Sequence, residues 1–347
     1  MQKKKILVFF GGNSPEYSVS LESSSGIISK INTDKYEPIL VGITKSGSWY
    51  HFSGDVSQIA DDTWHSVGLT QTAVLSPDCG TGELLVFSDS EVKRIKVDAA
   101  MPILHGKNGE DGTIQGLLDL AGIPIIGCGT LSSALCMDKD RAHKLVEFAG
   151  IRVPKSISLT DINQIDKVYA FAEEISYPVF VKPVRAGSSY GIAKVENKEE
   201  LLPAVSNAFE FDKTVLVEEF IDGFEVGCAV MGTDEIITGE IDEIELSDGF
   251  FNFYEKYNLV TSKIHVPARI SKEKSDELKD CAKRIYRALD CNVFARVDMF
   301  LTSRGEIVFN EVNTIPGFTS HSRFPMMMKA AGISFEEVIE RFISYVI

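Results

Sequence analysis

A chain of 347 residues has the length for two or three domains, each with its own core. At 44% hydrophobic and 24% charged it has the composition of a soluble globular protein, and no apolar run reaches the roughly 20 residues of a membrane helix. A formal net charge of −15 argues against nonspecific binding to nucleic acid or anionic membranes, while leaving room for a local basic phosphate site.

The apolar part of the N-terminus, Ile6 to Phe10, is too short for a signal-peptide core and reads as a buried first strand. It runs into Gly11-Gly12-Asn13-Ser14-Pro15-Glu16, with a helix expected from near Ser18. The turn is not GxGxxG, and the second strand, from Pro38 to Thr44, lacks a ribose-binding acid. Glu16 reads equally as a holder of a substrate ammonium or as a plain first-turn acid. Residues 45–95 carry turns and short strands without chemical signal. Next, Pro102-Ile103-Leu104-His105 is a strand whose tip leads into the loop Gly106-Lys107-Asn108-Gly109-Glu110-Asp111-Gly112 and a helix over 113–121. Ligands of open parallel sheets collect at such tips, so His105 reads as a ligand contact over a core histidine. A short strand over 124–127 follows, and Thr130 is expected to cap the helix carrying Lys139, by default a solvated lysine. Six cysteines, at 79, 128, 136, 228, 281 and 291, show no CxxC spacing and suit a reducing cytoplasm.

Beyond Pro154 the pattern becomes α+β. The stripe Ile162, Ile165, Val168, Ala172, Ile175 predicts a helix over 161–175. Lys182 then sits in a Val/Phe strand, where a charge needs a partner such as phosphate, and Gly187-Ser188-Ser189 offers N–H and hydroxyl donors without bulk. A helix over 198–209 precedes a strand ending in Glu218-Glu219-Phe220-Ile221, and the aromatic stretch 247–257 reads as a lid. A helix over 272–289 leads to two alternating strands around Ser303-Arg304-Gly305-Glu306, an antiparallel hairpin. Pairing about that turn sets Asp298 opposite Glu311 and Arg296 opposite Asn313 on one face, with Phe300 and Phe309 paired on the same face nearer the turn. Val297, Met299, Val308 and Val312 are expected to face a core, with Asn310 as a polar exception. Two acids and an amide at one spot suit Mg²⁺ carrying nucleotide phosphates; a solvated face with cross-strand ion pairs is the alternative.

Taken together, EYSVSLES, LHGKNGEDGTIQG, MDKDRAHK, KPVRAGSSYGI, EKY, RVDMF and NEVNTIPGFTSHS resemble the D-alanine:D-alanine ligase family of ATP-grasp enzymes over nearly the whole chain. The resemblance implies a mixed α/β and α+β chain: an ATP-grasp fold preceded by a Rossmann-like parallel-sheet domain. Expected domains are 1–137, 138–218 with the phosphate loop, and 219–347 with lid and metal site. It also implies that ATP activates the carboxylate of one D-alanine as an acyl phosphate, which a second amino acid's amine attacks. By motif position, Asp298, Glu311 and Asn313 would hold two Mg²⁺ (or Mn²⁺), and Arg296 with the Gly317 N–H would stabilise the oxyanion. Lys139, Lys182, Ser189 and Lys256 would meet phosphates; Glu218, Phe220, Ile221 and Glu225 would line the adenosine pocket. Glu16 and His105 would bind the first D-alanine, Ser188 and Tyr257 would tie loop and lid to Glu16, and Ser320 and Ser322 would meet the second substrate's carboxylate.

One position departs from the D-alanine:D-alanine pattern, which carries an aliphatic residue after SHS. Here it is Arg323, which with Phe251 and Asp242 resembles the D-alanine:D-serine ligases of vancomycin resistance. EKY in the lid argues against the D-lactate branch. The expectation is therefore a cytoplasmic homodimer joining D-alanine to D-serine, with an ordinary D-alanine:D-alanine ligase as the alternative. A nucleotide-binding regulator with a degenerate site is disfavoured, because every expected metal and phosphate residue is present.

Overall fold

The computed structural model describes residues 2–187, 190–246, 262–319 and 321–347. Its strands form three sheets. In the first, β1 (Lys4–Gly11) lies parallel between β2 (Tyr36–Ile43) and β7 (Ala99–Pro102). The central residues Ile6 to Phe10 are fully buried, which is why this strand reads as a continuous apolar run rather than an alternating one. Beyond β2 the sheet continues antiparallel through β3 (Trp49–Phe52), β4 (Thr70–Leu75), β5 (Glu83–Phe87) and β6 (Val92–Lys96). The strand expected over 124–127 reduces to a single parallel bridge between Ile125 and Ala100. The glycine and proline in that segment leave little room for a longer ladder.

The second sheet has the order β10-β9-β11-β8, from β8 (Ser156–Leu159), β9 (Val179–Pro183), β10 (Ala193–Val195) and β11 (Val215–Glu219). The helices Ile165–Ile175 and Lys198–Ala208 cover it, their apolar stripes meeting Val179, Val181 and Val217 in one core. The third sheet has the order β15-β14-β12-β16-β17, with β12 (Gly223–Gly232), β14 (Asp242–Leu246), β15 (Ser262–His265), β16 (Val293–Thr302) and β17 (Ile307–Asn313); β13 (Ile237–Thr238) pairs β12. The helix Lys272–Ala288 packs Leu278, Ala282 and Ile285 against it.

Two local expectations change. Thr130 opens its own helix, Thr130–Met137; Lys139 begins a second one, Lys139–Phe148, capped by Asp138, whose carboxylate accepts the Arg141 N–H at 3.0 Å. The hairpin pairs Arg296 with Asn313 and Asp298 with Glu311 as expected, but a bulge then shifts the register to Met299–Phe309 and Phe300–Val308. One inserted residue turns each later side chain to the opposite face. Phe309 therefore enters the core with Met299 and Leu301, and Val308 takes the place opposite Phe300.

A further core joins the first sheet to the C-terminal body: Ile6, Val8, Phe10 and Met101 meet Met231, Phe294, Phe318, Phe324 and Phe342. The Phe294 and Phe342 rings stack with centroids 4.2 Å apart. Among the described residues no helix is long and apolar enough to cross a membrane.

Candidate active site

The segment that follows β7 meets the one that follows β17: Glu110 accepts the Ile315 N–H, and Ser23 Oγ is shared by His105 and the Phe318 N–H. Asp298, on the acid-bearing face of β16, is 1% exposed. Arg296 lies two residues back on the same face and donates Nε at 2.8 Å and Nη2 at 2.7 Å to the two carboxylate oxygens. Asn313 Nδ2 donates to Oδ2 at 2.9 Å, and Arg323 Nη2 approaches Oδ1 at 3.3 Å. Glu311 lies opposite Asp298, with Lys139 Nζ 3.5 Å from its Oε2 and 3.1 Å from the Ala186 carbonyl oxygen.

Arg323 opens the helix Arg323–Ala330, which Ser322 precedes as N-cap residue, and is itself buried. Its Nε and Nη2 fork onto the fully buried Asp242 at 2.7 and 2.9 Å, and its Nη1 reaches Glu225 at 2.8 Å. Burial works against the charge, but Asp242, Asp298 and Glu225 outweigh it and hold the guanidinium well above its ordinary pKa. Gly227 makes this approach possible: a Cβ there would collide with Arg323 Nη2 and stand 2.7 Å from Asp242 Oδ1. Glu225, expected beside adenosine, lies in the arginine cluster.

On the N-terminal side, Glu16 is buried at the start of the helix Tyr17–Ile28. Its carboxylate lies against Gly106, and a Cβ on Gly187 would come 2.8 Å from its Oε1. Glycine at both positions gives the acid its space. His105 Nε2 lies 3.2 Å from Ser23 Oγ, and the same hydroxyl accepts the Phe318 N–H. Burial pushes His105 down to about 4, so it is neutral near pH 7. Glu110 bridges the two halves, accepting the Gly106 N–H at 2.8 Å and the Ile315 N–H at 3.2 Å. Burial, with Glu16 nearby, pushes its carboxyl up to about 7. Sequence reasoning noted this acid only as a neighbour of His105. A signal was its position opening the Glu110-Asp111-Gly112 end of a glycine-rich loop, but its partner, a backbone N–H 205 residues away, is a tertiary fact.

Lys182 on β9 ion-pairs with Glu218 on β11, and Glu218 Oε2 is buried without a hydrogen-bond partner among the described residues. Phe220 stacks on Phe180 with centroids 6.1 Å apart, and Ile221 is buried next to it. Gly317 faces Ser322, whose Oγ accepts the Thr319 N–H at 3.0 Å. Ser188, Ser189, Phe251, Lys256, Tyr257 and Ser320 lie outside the described residues.

Residues 5–128 match the family described as D-ala D-ala ligase N-terminus, and residues 145–344 match the D-ala D-ala ligase C-terminus. The chain belongs to the D-alanine–D-alanine ligase family. It is accordingly an ATP-grasp, ATP-dependent, peptide-forming ligase acting on D-amino acids. Its structure is similar to that of the VanG D-Ala:D-Ser ligase from Enterococcus faecalis, with a TM-score of 0.93, 54% identity and 99% of each chain covered. It is 45% identical to the vancomycin B-type resistance protein VanB of Enterococcus faecalis, over 100% of this chain and 99% of that one. It is also 42% identical to a D-alanine–D-alanine ligase of Caldicellulosiruptor bescii, over 100% and 96%. A D-Ala:D-Ser ligase, a vancomycin B-type resistance protein and a D-alanine–D-alanine ligase thus stand among this ligase's relatives.

Among the described residues no three His, Cys, Asp or Glu converge as a protein-only metal cage. Asp298, Glu311 and Asn313 supply hard oxygen atoms, the partial set that suits Mg²⁺ when phosphate and water complete the coordination. The Glu218 oxygen without a partner among the described residues is an acceptor that suits a nucleotide's N–H donor.

Proposed function

We infer that this chain joins D-alanine to D-serine at the expense of ATP, making a D,D-dipeptide for peptidoglycan precursors with low vancomycin affinity. The observation that carries the reading is Arg323, a buried cation fixed by Asp242 at the start of the Arg323–Ala330 helix, where the D-alanine:D-alanine pattern has an aliphatic wall. A hydroxymethyl gains from a polar wall that a methyl cannot use.

In this reading Glu16 receives the first D-alanine's ammonium and His105 lies near its carboxylate. That carboxylate attacks the γ-phosphorus, forming the acyl phosphate and releasing ADP. The amine of D-serine then attacks the acyl carbon, and the tetrahedral species expels phosphate as the amide forms. Arg296 and the Gly317 N–H stabilise its oxyanion. Lys139, Lys182, Ser189 and Lys256 steady the phosphates, Glu218, Phe220, Ile221 and Glu225 line the nucleoside site, and Ser188 and Tyr257 link loop and lid to Glu16. Ser320, Ser322, Arg323, Phe251 and Asp242 form the second-substrate site. Two Mg²⁺ (or Mn²⁺) held by Asp298, Glu311 and Asn313 would neutralise phosphate charge. Domains of 1–137, 138–218 and 219–347, a homodimer and a cytoplasmic location complete the reading.

A second reading, a D-alanine:D-alanine ligase of ordinary cell-wall synthesis, draws support from the same cluster: Arg323 is already engaged by Asp242 and Glu225. Phosphate release with D-alanine alone, and with D-serine added at neutral pH, separates the two. Stimulation by D-serine with a mixed dipeptide in the mass spectrum is expected; no gain overturns the first reading.

A further inference from the structure

The helix Lys139–Phe148 places Lys139 and His143 one turn apart on one face. Both reach β17, at successive residues: Lys139 Nζ lies 3.5 Å from Glu311 Oε2, and His143 Nε2 lies 2.9 Å from the Asn310 carbonyl oxygen. A carbonyl only accepts, so Nε2 carries the proton. Asn310 is the bulge residue, left without an opposite number where the register passes from Asp298–Glu311 to Met299–Phe309. The next backbone group is also held from outside the sheet, the Phe309 N–H donating to the Arg152 carbonyl at 2.9 Å. His143 is 3% exposed, its ring packs edge-on against Phe309 at 5.5 Å, and its Nδ1 has no partner among the described residues. An apolar side chain of similar volume would avoid that buried, unsatisfied nitrogen, so the bond from Nε2 is what this imidazole contributes.

We propose that His143 is a positioning residue for the acid pair: by fixing the bulge carbonyl next to Glu311, it keeps the Glu311 carboxylate facing Asp298. The inference rests on the reading that Asp298, Glu311 and Asn313 hold the divalent cations. His143 touches no substrate; it acts through the backbone of β17, as partners behind a metal ligand commonly do.

Two amide replacements test it. In H143Q the amide nitrogen can occupy the place of Nε2 and still donate to Asn310; in H143N it corresponds to Nδ1 and falls short. Mn²⁺ affinity of the full chain with ADP present, read from the electron paramagnetic resonance of free Mn²⁺, is expected to fall ~10-fold or more in H143N. H143Q should stay within a few-fold of the native protein, and KM for D-alanine should change little in either. Equal Mn²⁺ affinities in native protein and H143N, or equal losses in both variants, would overturn the proposal. E311Q separates the two levels: native-like Mn²⁺ binding there would remove the metal reading itself, whatever His143 does.

Discussion

Arg323 is a buried cation ringed by three carboxylates, those of Asp242, Asp298 and Glu225. Its guanidinium is the counter-charge for Asp242 and a neighbour of Asp298, both essentially without solvent contact. Arg323→Leu is expected to shift kcat/KM towards D-alanine as second substrate, and unchanged relative values would remove its selective role. The same variant strands the buried carboxylate of Asp242, whereas Asp298 keeps Arg296 and Asn313, so denaturant unfolding should show a loss of ~3–5 kcal/mol. At Glu110 the relevant variable is pH. Its folded carboxyl titrates at about 7 against an ordinary 4.5, so the native state binds the proton more tightly than the unfolded chain does. The Glu110 contribution to stability is then fully present below about 4.5 and declines as pH rises towards about 7. Glu110→Gln should remove that part of the slope in urea midpoints measured across this window.

At the scale of elements, β12 and the β16–β17 hairpin do most to shape the site. Gly227 lets Arg323 and Asp242 lie against the backbone of β12, so Gly227→Ala, forcing a methyl into that contact, is expected to destabilise by ~1–3 kcal/mol and to disturb second-substrate KM more than nucleotide binding. Gly106 has φ +71° and lies against the Glu16 carboxylate, so Gly106→Ala adds backbone strain to a collision. Raised KM for the first D-alanine is the expected kinetic result. The hairpin's alternation and turn were legible in the sequence down to the Asp298–Glu311 and Arg296–Asn313 pairs. Its bulge was not, because a single unpaired residue leaves the apolar alternation on either side nearly intact, and the contacts that hold it come from His143 and Arg152 on a distant segment.

Across the whole molecule, the first sheet and the C-terminal body share one core, stitched by Phe294, Phe318, Phe324 and Phe342. Phe294→Ala is expected to lower stability by ~3–5 kcal/mol and, in calorimetry, to lower one cooperative transition rather than split off a separate C-terminal one. By itself the sequence determined most of the element types, the motifs that assign the family, the acid-bearing face of the hairpin and the presence of an arginine where an aliphatic residue is usual. These are properties of local periodicity and short spacing, which a chain displays before it folds. Only the tertiary structure decided that Glu110 ties His105's loop to Ile315, that Lys139 heads its own helix and reaches Glu311, and that Arg323 is held by Asp242 and Glu225. Those pairings join groups up to 205 residues apart, and burial, which sets their charge states, exists only once the sheets have packed.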